Sequence, residues 1–102
     1  MNDTKWDEVF RAFFENECRA GDSLPVFYRS KGINGFISDW DCSWEHFGSL
    51  FPWYQDLEWL QIALTADNSA FVVDALKSIH VPGSIDEQTV TIFGYKQDCD
   101  YI

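Results

Sequence analysis

The segment LEWLQIAL, residues 57–64, places the strongest constraint on the fold of this chain. Side chains alternate between the two faces of a β-strand, so Leu57 and Trp59 would lie on one face and Leu60 and Ile62 on the other. Both faces are largely apolar, which is typical of a strand with neighbours on both sides. The segment therefore predicts a central strand, and the rest of the chain has to supply the other strands of the sheet.

Two other regions predict those strands. LPVFYRS and GFISDW flank a turn around Asn34, so we expect a β-hairpin over about residues 25–40. Near the end of the chain, TVTIFGYK alternates Val90 and Ile92 with Thr91 and Phe93, which favours a further strand.

Three segments carry helical patterns. The first helix is predicted over about residues 4–19, with Thr4 as its cap and Gly21 as its stop. A short helix is predicted in CSWEHFGSLF and would end at Pro52, and another helix begins at Asp67 or Asn68 and ends at Pro82-Gly83. Their predicted apolar faces consist of Trp6, Val9, Phe10, Phe13 and Phe14; of Trp44, Phe47 and Phe51; and of Phe71, Val72, Ala75, Leu76 and Ile79.

The order of these elements defines the expected fold class. A chain of 102 residues fits one domain, residues 1–102, and leaves no room for two. The order of helices and strands predicts an α+β fold with about four mostly antiparallel strands. Two main helices are expected to pack on one face of this sheet, together with the short helix.

Charge restricts the classes of partner. Seventeen acidic residues face seven basic ones, for a net charge of -10, so nucleic acid and anionic membranes are disfavoured. A basic protein or a metal cation would be attracted. No apolar run reaches the roughly 18 residues of a membrane span. Three widely spaced cysteines without a signal peptide favour a reduced, cytoplasmic protein.

Candidate chemical sites are weak in this sequence. Cys42 and His46 are four residues apart, but no second Cys/His pair completes a soft metal site, and His80 lies 34 residues further on. No metal or other cofactor is therefore predicted. A nucleophilic thiolate at Cys42 would need an electropositive pocket, whereas this stretch is acidic. A carboxylate pair drawn from the acids of residues 39–58 remains an open alternative.

Recognition of another protein explains the central stretch better. No lysine or arginine lies between Lys31 and Lys77, an interval with seven acids interleaved with aromatic residues. Aromatic anchors and complementary charge are typical of protein interfaces. Trp44 and Trp59 are predicted to belong to the core. The predicted partner-binding residues are Asp39, Asp41, Glu45, Trp53, Tyr54, Asp56 and Glu58.

Several motifs resemble those of a small bacterial family of unknown function. They are TKW at residues 4–6, ISDWDCSWEHF at 37–47, LEWLQI at 57–62 and VPG at 81–83. The family pattern is W-D-x-x-W-x-H-F, then E-W-L-x-I, then V-P-G, and the likeness covers most of the chain. The resemblance implies no activity and no catalytic residue. It implies a defining structural or functional set: Trp40, Asp41, Trp44, His46, Phe47, Glu58 and Trp59.

By type, the chain also resembles bacterial immunity proteins, which are small and acidic and neutralise toxins, often nucleases. This resemblance implies a cytoplasmic immunity protein that binds a cognate basic toxin domain and is not an enzyme. Two alternatives stay open: a structural or regulatory protein that forms a homo-oligomer, and a small enzyme that uses acidic residues and His46. A monomer or a weak homodimer is expected.

Overall fold

The computed structural model describes residues 3–19, 21, 24–48, 56–94 and 101–102. Within them, the predicted α+β class is confirmed, with three helices and a four-stranded antiparallel sheet. No helix of this part of the chain is long and apolar enough to cross a membrane. In chain order the elements are α1 (Asp3–Glu17), β1 (Tyr28–Gly32), α2 (Trp44–Gly48), β2 (Leu57–Ala63), α3 (Ser69–Ile79), β3 (Gly83–Ile85) and β4 (Thr89–Phe93).

The strand order is β1-β2-β4-β3, so β2 lies in the interior of the sheet, as its apolar pattern predicts. Leu60 and Ile62 are fully buried on the face that packs against the helices. Trp59 alternates with them and lies on the opposite, outer face, where it is half-buried beside its β4 partner Phe93. The prediction that Trp59 belongs to the core is therefore wrong.

The predicted hairpin over residues 25–40 is only half right. Its first strand is β1, but the returning segment touches β1 only at isolated bridges, which pair Ile37 with Lys31 and Asp41 with Tyr28. Between these bridges the hydroxyl of Ser38 accepts the backbone N–H of Ser30, at 2.9 Å. A side-chain oxygen therefore accepts a hydrogen bond that a backbone carbonyl would accept in a regular strand, and the ladder of backbone hydrogen bonds along β1 is interrupted.

The fourth strand, β3, lies where the sequence pattern predicts only the end of a helix. Its first residue, Gly83, pairs with Ile92 of β4 and is buried. A Cβ atom at Gly83 would overlap the backbone carbonyl oxygen of Thr91. The glycine of the VPG motif is therefore required by close contact between strands. Helix α3 has already ended at Ile79, followed by His80 in the left-handed conformation with φ 66°.

The three helices contribute aromatic and aliphatic side chains to one core. Trp44 of α2 lies at its centre, with ring centroids 4.7 Å from Phe13 of α1 and 4.4 Å from Tyr28 of β1. The indole N–H of Trp44 donates to the carbonyl of Val26 at 3.0 Å. The predicted helix faces are confirmed where they are described, with these residues buried: Trp6, Val9, Phe13, Trp44, Phe47, Val72 and Leu76. Phe51 and Pro52 lie outside the described residues.

Two buried asparagines connect loops to this core. Asn16 of α1 both donates to and accepts from the backbone of Leu24. Asn68 occupies the predicted cap position of α3 but makes no capping bond with its side chain. Instead, its amide donates to the carbonyls of Pro25 and Ala63, and its oxygen accepts the N–H of Thr65. Asn68 therefore does not cap α3. It joins three segments: the loop before β1, the end of β2 and the start of α3.

Candidate docking surface

Residues 33–41, here called the edge segment, run along the outer edge of β1 and begin with a tight turn. Gly35 adopts φ 92°, and its N–H donates to the carbonyl of Gly32 at 3.0 Å. The side-chain oxygen of Asn34 accepts the N–H of Phe36, also at 3.0 Å. The N–H of Ile33 donates to the carbonyl of Asp56 at 2.8 Å and so connects the turn to the start of β2. The turn is held by hydrogen bonds at both ends.

This ordered segment exposes large apolar side chains. The exposed fractions are 62% for Ile33, 70% for Phe36, 48% for Ile37 and 41% for Trp40. Exposed apolar side chains that are close together on a soluble protein mark an interaction site more often than isolated ones do. The edge segment therefore has the composition of a docking surface.

Trp40 is held in place by an arginine. The guanidinium carbon of Arg29 lies 4.8 Å from the centre of the Trp40 ring and 5.8 Å from that of Trp59. The Nε of Arg29 also donates to the side-chain oxygen of Gln61 at 2.7 Å, and the Gln61 amide donates to the hydroxyl of Thr91 at 3.3 Å. These contacts cross three strands on the outer face and orient Trp40, whose exposed part remains available to a partner.

Carboxylates accompany the apolar side chains. Asp39 lies within the edge segment and Asp56 beside its turn, and both are exposed. In the described part of the chain, neither forms an ion pair with a lysine or arginine. Glu58 differs, because it is half-buried and its carboxylate lies 3.0 Å from the Lys31 ammonium. Of the acids at this end of the sheet, Asp39 and Asp56 are therefore the ones available to a cationic partner.

The other predicted acids gather around His46. Asp41 accepts the backbone N–H of Ser43 through one oxygen at 2.8 Å, and its other oxygen lies 2.6 Å from Nδ1 of His46. The bond from Ser43 and then the bond from His46 lower the pKa of Asp41. The hydrogen bond to Asp41 raises the pKa of His46, helped by the charges of Asp41, Glu45 and Glu17. His46 is 69% exposed in its side chain, so it is not a core histidine.

The same corner holds a buried tyrosine. The hydroxyl of Tyr28 donates to the carbonyl of Ser43 at 2.9 Å. Burial raises the pKa of Tyr28, and the carboxylates of Asp41 and Glu17 raise it further. Glu17 also accepts the N–H of Trp44 at 3.1 Å, at the start of α2. Tyr28 therefore stays neutral and acts as a hydrogen-bond donor that fixes this corner.

The Asp41–His46 pair predicts a pH-dependent contribution to stability. A raised histidine pKa stabilises the fold below the ordinary histidine pKa of about 6.5, and this stabilisation is lost as the pH rises through the folded value. A lowered aspartate pKa stabilises the fold above the ordinary aspartate pKa of about 3.9, and this stabilisation is lost as the pH falls through the folded value. The pair should therefore contribute most at about pH 5–6.

A double-mutant cycle with Asp41→Asn and His46→Gln measures this contribution. Thermal unfolding of the four proteins at about pH 5.5 and about pH 8.5, at one ionic strength, gives the coupling at each pH. We expect a larger coupling at the lower pH. Equal coupling free energies at both pH values would contradict the assignment of opposite charges to Asp41 and His46.

The structure places the predicted site residues in three groups. Asp39 and Trp40 lie in the edge segment, with Asp56 and Glu58 beside its turn. Asp41, the last residue of the edge segment, lies with Glu45 and His46 at the start of α2. Trp44 and Phe47 are core residues. Trp53 and Tyr54, the predicted anchors, lie outside the described residues.

Sequence reasoning missed the exposed side chains of Ile33, Phe36 and Ile37 because it assigned them to a turn and a strand. A signal was present, since apolar residues directly flank the Asn34-Gly35 turn and turns are usually polar. The stacking position of Arg29 had no such signal, because it depends on strand pairing.

The described residues do not form a metal site or a Cys42–His46 nucleophile pair. Among the residues that the structure describes, no three histidine, cysteine, aspartate or glutamate side chains gather closely enough to hold a metal ion. Cys18 and Cys42 are exposed free thiols. The side chain that meets His46 is Asp41 rather than Cys42.

The profile of a family of unknown function (DUF6678) matches residues 1–99. No curated protein and no solved structure matches the chain. The function of this chain therefore has to be inferred from its own residues.

Proposed function

This chain belongs to DUF6678, a family of unknown function, and we propose that it is an acidic protein-binding module whose partner is a basic protein. One observation carries the proposal: an ordered turn exposes Ile33, Phe36 and Ile37 beside Asp39 and Asp56. Apolar anchors supply most of the binding energy at protein interfaces, and complementary charge speeds association.

Charge selects the kind of partner. The net charge of -10 repels nucleic acid, anionic lipid and a second copy of the same chain, and it attracts a basic protein over a distance of about 10 Å at moderate salt. The most specific form of the proposal is an immunity protein that covers a cognate basic toxin domain and blocks its cationic surface. A toxin that acts on nucleic acid would present such a surface.

The test is an affinity pull-down with the tagged protein from its own host, at about 0.05 M and about 0.5 M salt. We expect one basic protein at stoichiometric yield, with weaker retention at the higher salt. Recovery of the carboxy-terminal fragment of a large secreted protein would support the immunity assignment. An empty column at low salt would contradict the proposal.

Two isoleucines provide a matched pair of variants for the same experiment. Ile37 in the edge segment and Ile85 of β3 are 48% and 47% exposed. We expect Ile37→Ser to weaken binding of the recovered protein about tenfold or more and Ile85→Ser to leave it unchanged. Titration calorimetry measures both, and equal effects would exclude the edge segment as the contact surface.

The Asp41–His46 contact favours a second candidate, a small hydrolytic enzyme. A carboxylate bonded to Nδ1 fixes the tautomer and orientation of an imidazole, as a general base requires. Turnover of chromogenic ester and phosphodiester substrates that is present in the wild type and absent in His46→Gln would support this candidate. No turnover by the wild type would count against it.

A further inference from the structure

We infer that the groove beside the turn of the edge segment binds one lysine or arginine side chain of a basic protein partner, with Asp56 as the counter-ion. This inference rests on the proposed function and deepens it, because it names the chemical group that is recognised and the place where it binds. Three observations support it: the size of the groove, the side chains that line it, and the fact that neighbouring cationic side chains are bound to groups other than Asp56.

The groove lies between β1, the returning edge segment and the start of β2. Its volume is about 350 Å³, which is ample for one long side chain and water. A second hollow of about 220 Å³ adjoins it on the side of Ile33. Gly32, Asn34 and Asp56 line both cavities, and Ser30, Phe36 and Ser38 line the larger one.

The lining suits a side chain that is apolar along its stem and cationic at its end. Asp56 is the one charged residue that lines the groove in the described part of the chain. Phe36 offers an exposed aromatic ring, against which an aliphatic stem or a guanidinium plane can pack. The side-chain oxygens of Asn34 and Ser38 already accept backbone N–H groups, from Phe36 and Ser30 respectively. Because Asp56 is the acidic residue of this lining, its carboxylate is the group that would bind a cation.

The two cationic side chains of β1 are already engaged. Lys31 forms an ion pair with Glu58, and Arg29 is bonded to Gln61 between two tryptophan rings. Neither forms an ion pair with Asp56 in the described residues. A second copy of the chain is a poor occupant, because two molecules of net charge -10 repel each other. Charge complementarity therefore selects a basic segment of a different protein.

A short peptide tests the groove without knowledge of the partner. The probe is the blocked tripeptide acetyl-Leu-Arg-Leu-amide, with acetyl-Leu-Glu-Leu-amide as its charge-reversed control, titrated into ¹⁵N-labelled protein. We expect the arginine peptide to shift the backbone amides of Gly32, Asn34, Gly35 and Phe36 in a saturable manner. The glutamate peptide should leave them in place.

Two acid-to-amide variants make the test specific. We expect Asp56→Asn to weaken the arginine peptide about two- to fivefold, as loss of one exposed ion pair would. Asp74→Asn makes the same charge change on the exposed surface of α3 and should bind the peptide as the wild type does. Equal weakening in both variants, or shifts spread over all acidic surfaces, would overturn the inference.

The outcomes separate this inference from the proposed function. If the pull-down recovers a basic protein but the peptide leaves the turn unshifted, the inference is wrong and the proposed function stands. If the peptide binds in the groove and Asp56→Asn weakens it while the column stays empty, the cation site is supported and the proposed function is wrong.

Discussion

Replacement of Trp44 by alanine is expected to lower the free energy of unfolding by about 3–5 kcal/mol, the largest loss at any position considered. The indole is 1% exposed and contacts the rings of Phe13, Tyr28 and Phe47. Its removal leaves a cavity in the centre of the core and also leaves the carbonyl of Val26 without its donor. Urea unfolding followed by far-ultraviolet circular dichroism measures the loss.

Two further variants keep this prediction testable if the alanine protein does not fold. Trp44→Phe retains an aromatic ring but removes the N–H donor to Val26, so an intermediate loss of about 1–3 kcal/mol is expected. Trp40→Ala removes a tryptophan that is 41% exposed, and a loss below about 1 kcal/mol is expected from its contact with Arg29. Similar losses for Trp40→Ala and Trp44→Ala would contradict the assignment of one to the surface and the other to the core.

Replacement of Asn68 by alanine is expected to cost about 2–4 kcal/mol, the second largest loss. The side chain is 1% exposed and bonds to the backbone of Pro25, Ala63 and Thr65. Alanine would leave these partly buried backbone groups without their hydrogen-bond partner. The same urea experiment measures the effect.

Asn34 is the matched control for Asn68. It is exposed and its oxygen accepts one N–H group, from Phe36, so Asn34→Ala should lose about 1 kcal/mol or less. Asn68→Asp keeps the acceptor for Thr65 but sets a carboxylate against two carbonyl oxygens, so a loss at least as large as that of alanine is expected. A loss below about 1 kcal/mol for Asn68→Ala would show that its bonds do not connect the three segments.

The regular elements were the most predictable part of this protein. The period of 3.6 residues in α1 and α3 and the strand pattern of β2 each concern one local segment. The structure confirms the two helices and the interior position of β2 in the sheet. The prediction of a hairpin failed at the edge of β1 that β2 does not occupy. The segment after the Asn34-Gly35 turn has strand composition. However, β2 pairs with every residue of β1 on one edge, with a register shift between Lys31 and Gly32, and residues 37–41 form only isolated bridges on the other edge.

The candidate site was predictable in its chemistry and less so in its placement. The absence of lysine and arginine between Lys31 and Lys77 marks an acidic, aromatic region from the sequence alone. The sequence does not show that Glu58 pairs with Lys31 or that Asp41 is bonded to His46, because these contacts depend on which strands and helices meet. Only the structure distinguishes Asp39 and Asp56, the exposed acids beside the turn of the edge segment, from these paired acids.

By itself, the amino-acid sequence determined the charge of the protein, its α+β class, the interior position of β2 and the buried faces of α1 and α3. These follow from composition and from local periodicity, which depend on residues close together in the chain. Tertiary structure alone decided that Trp59 is half-buried on the outer face of the sheet, that Gly83 must lack a side chain, and that Asn68 joins three segments. Each of these depends on contact between residues far apart in the chain, and local pattern carries no information about such contacts.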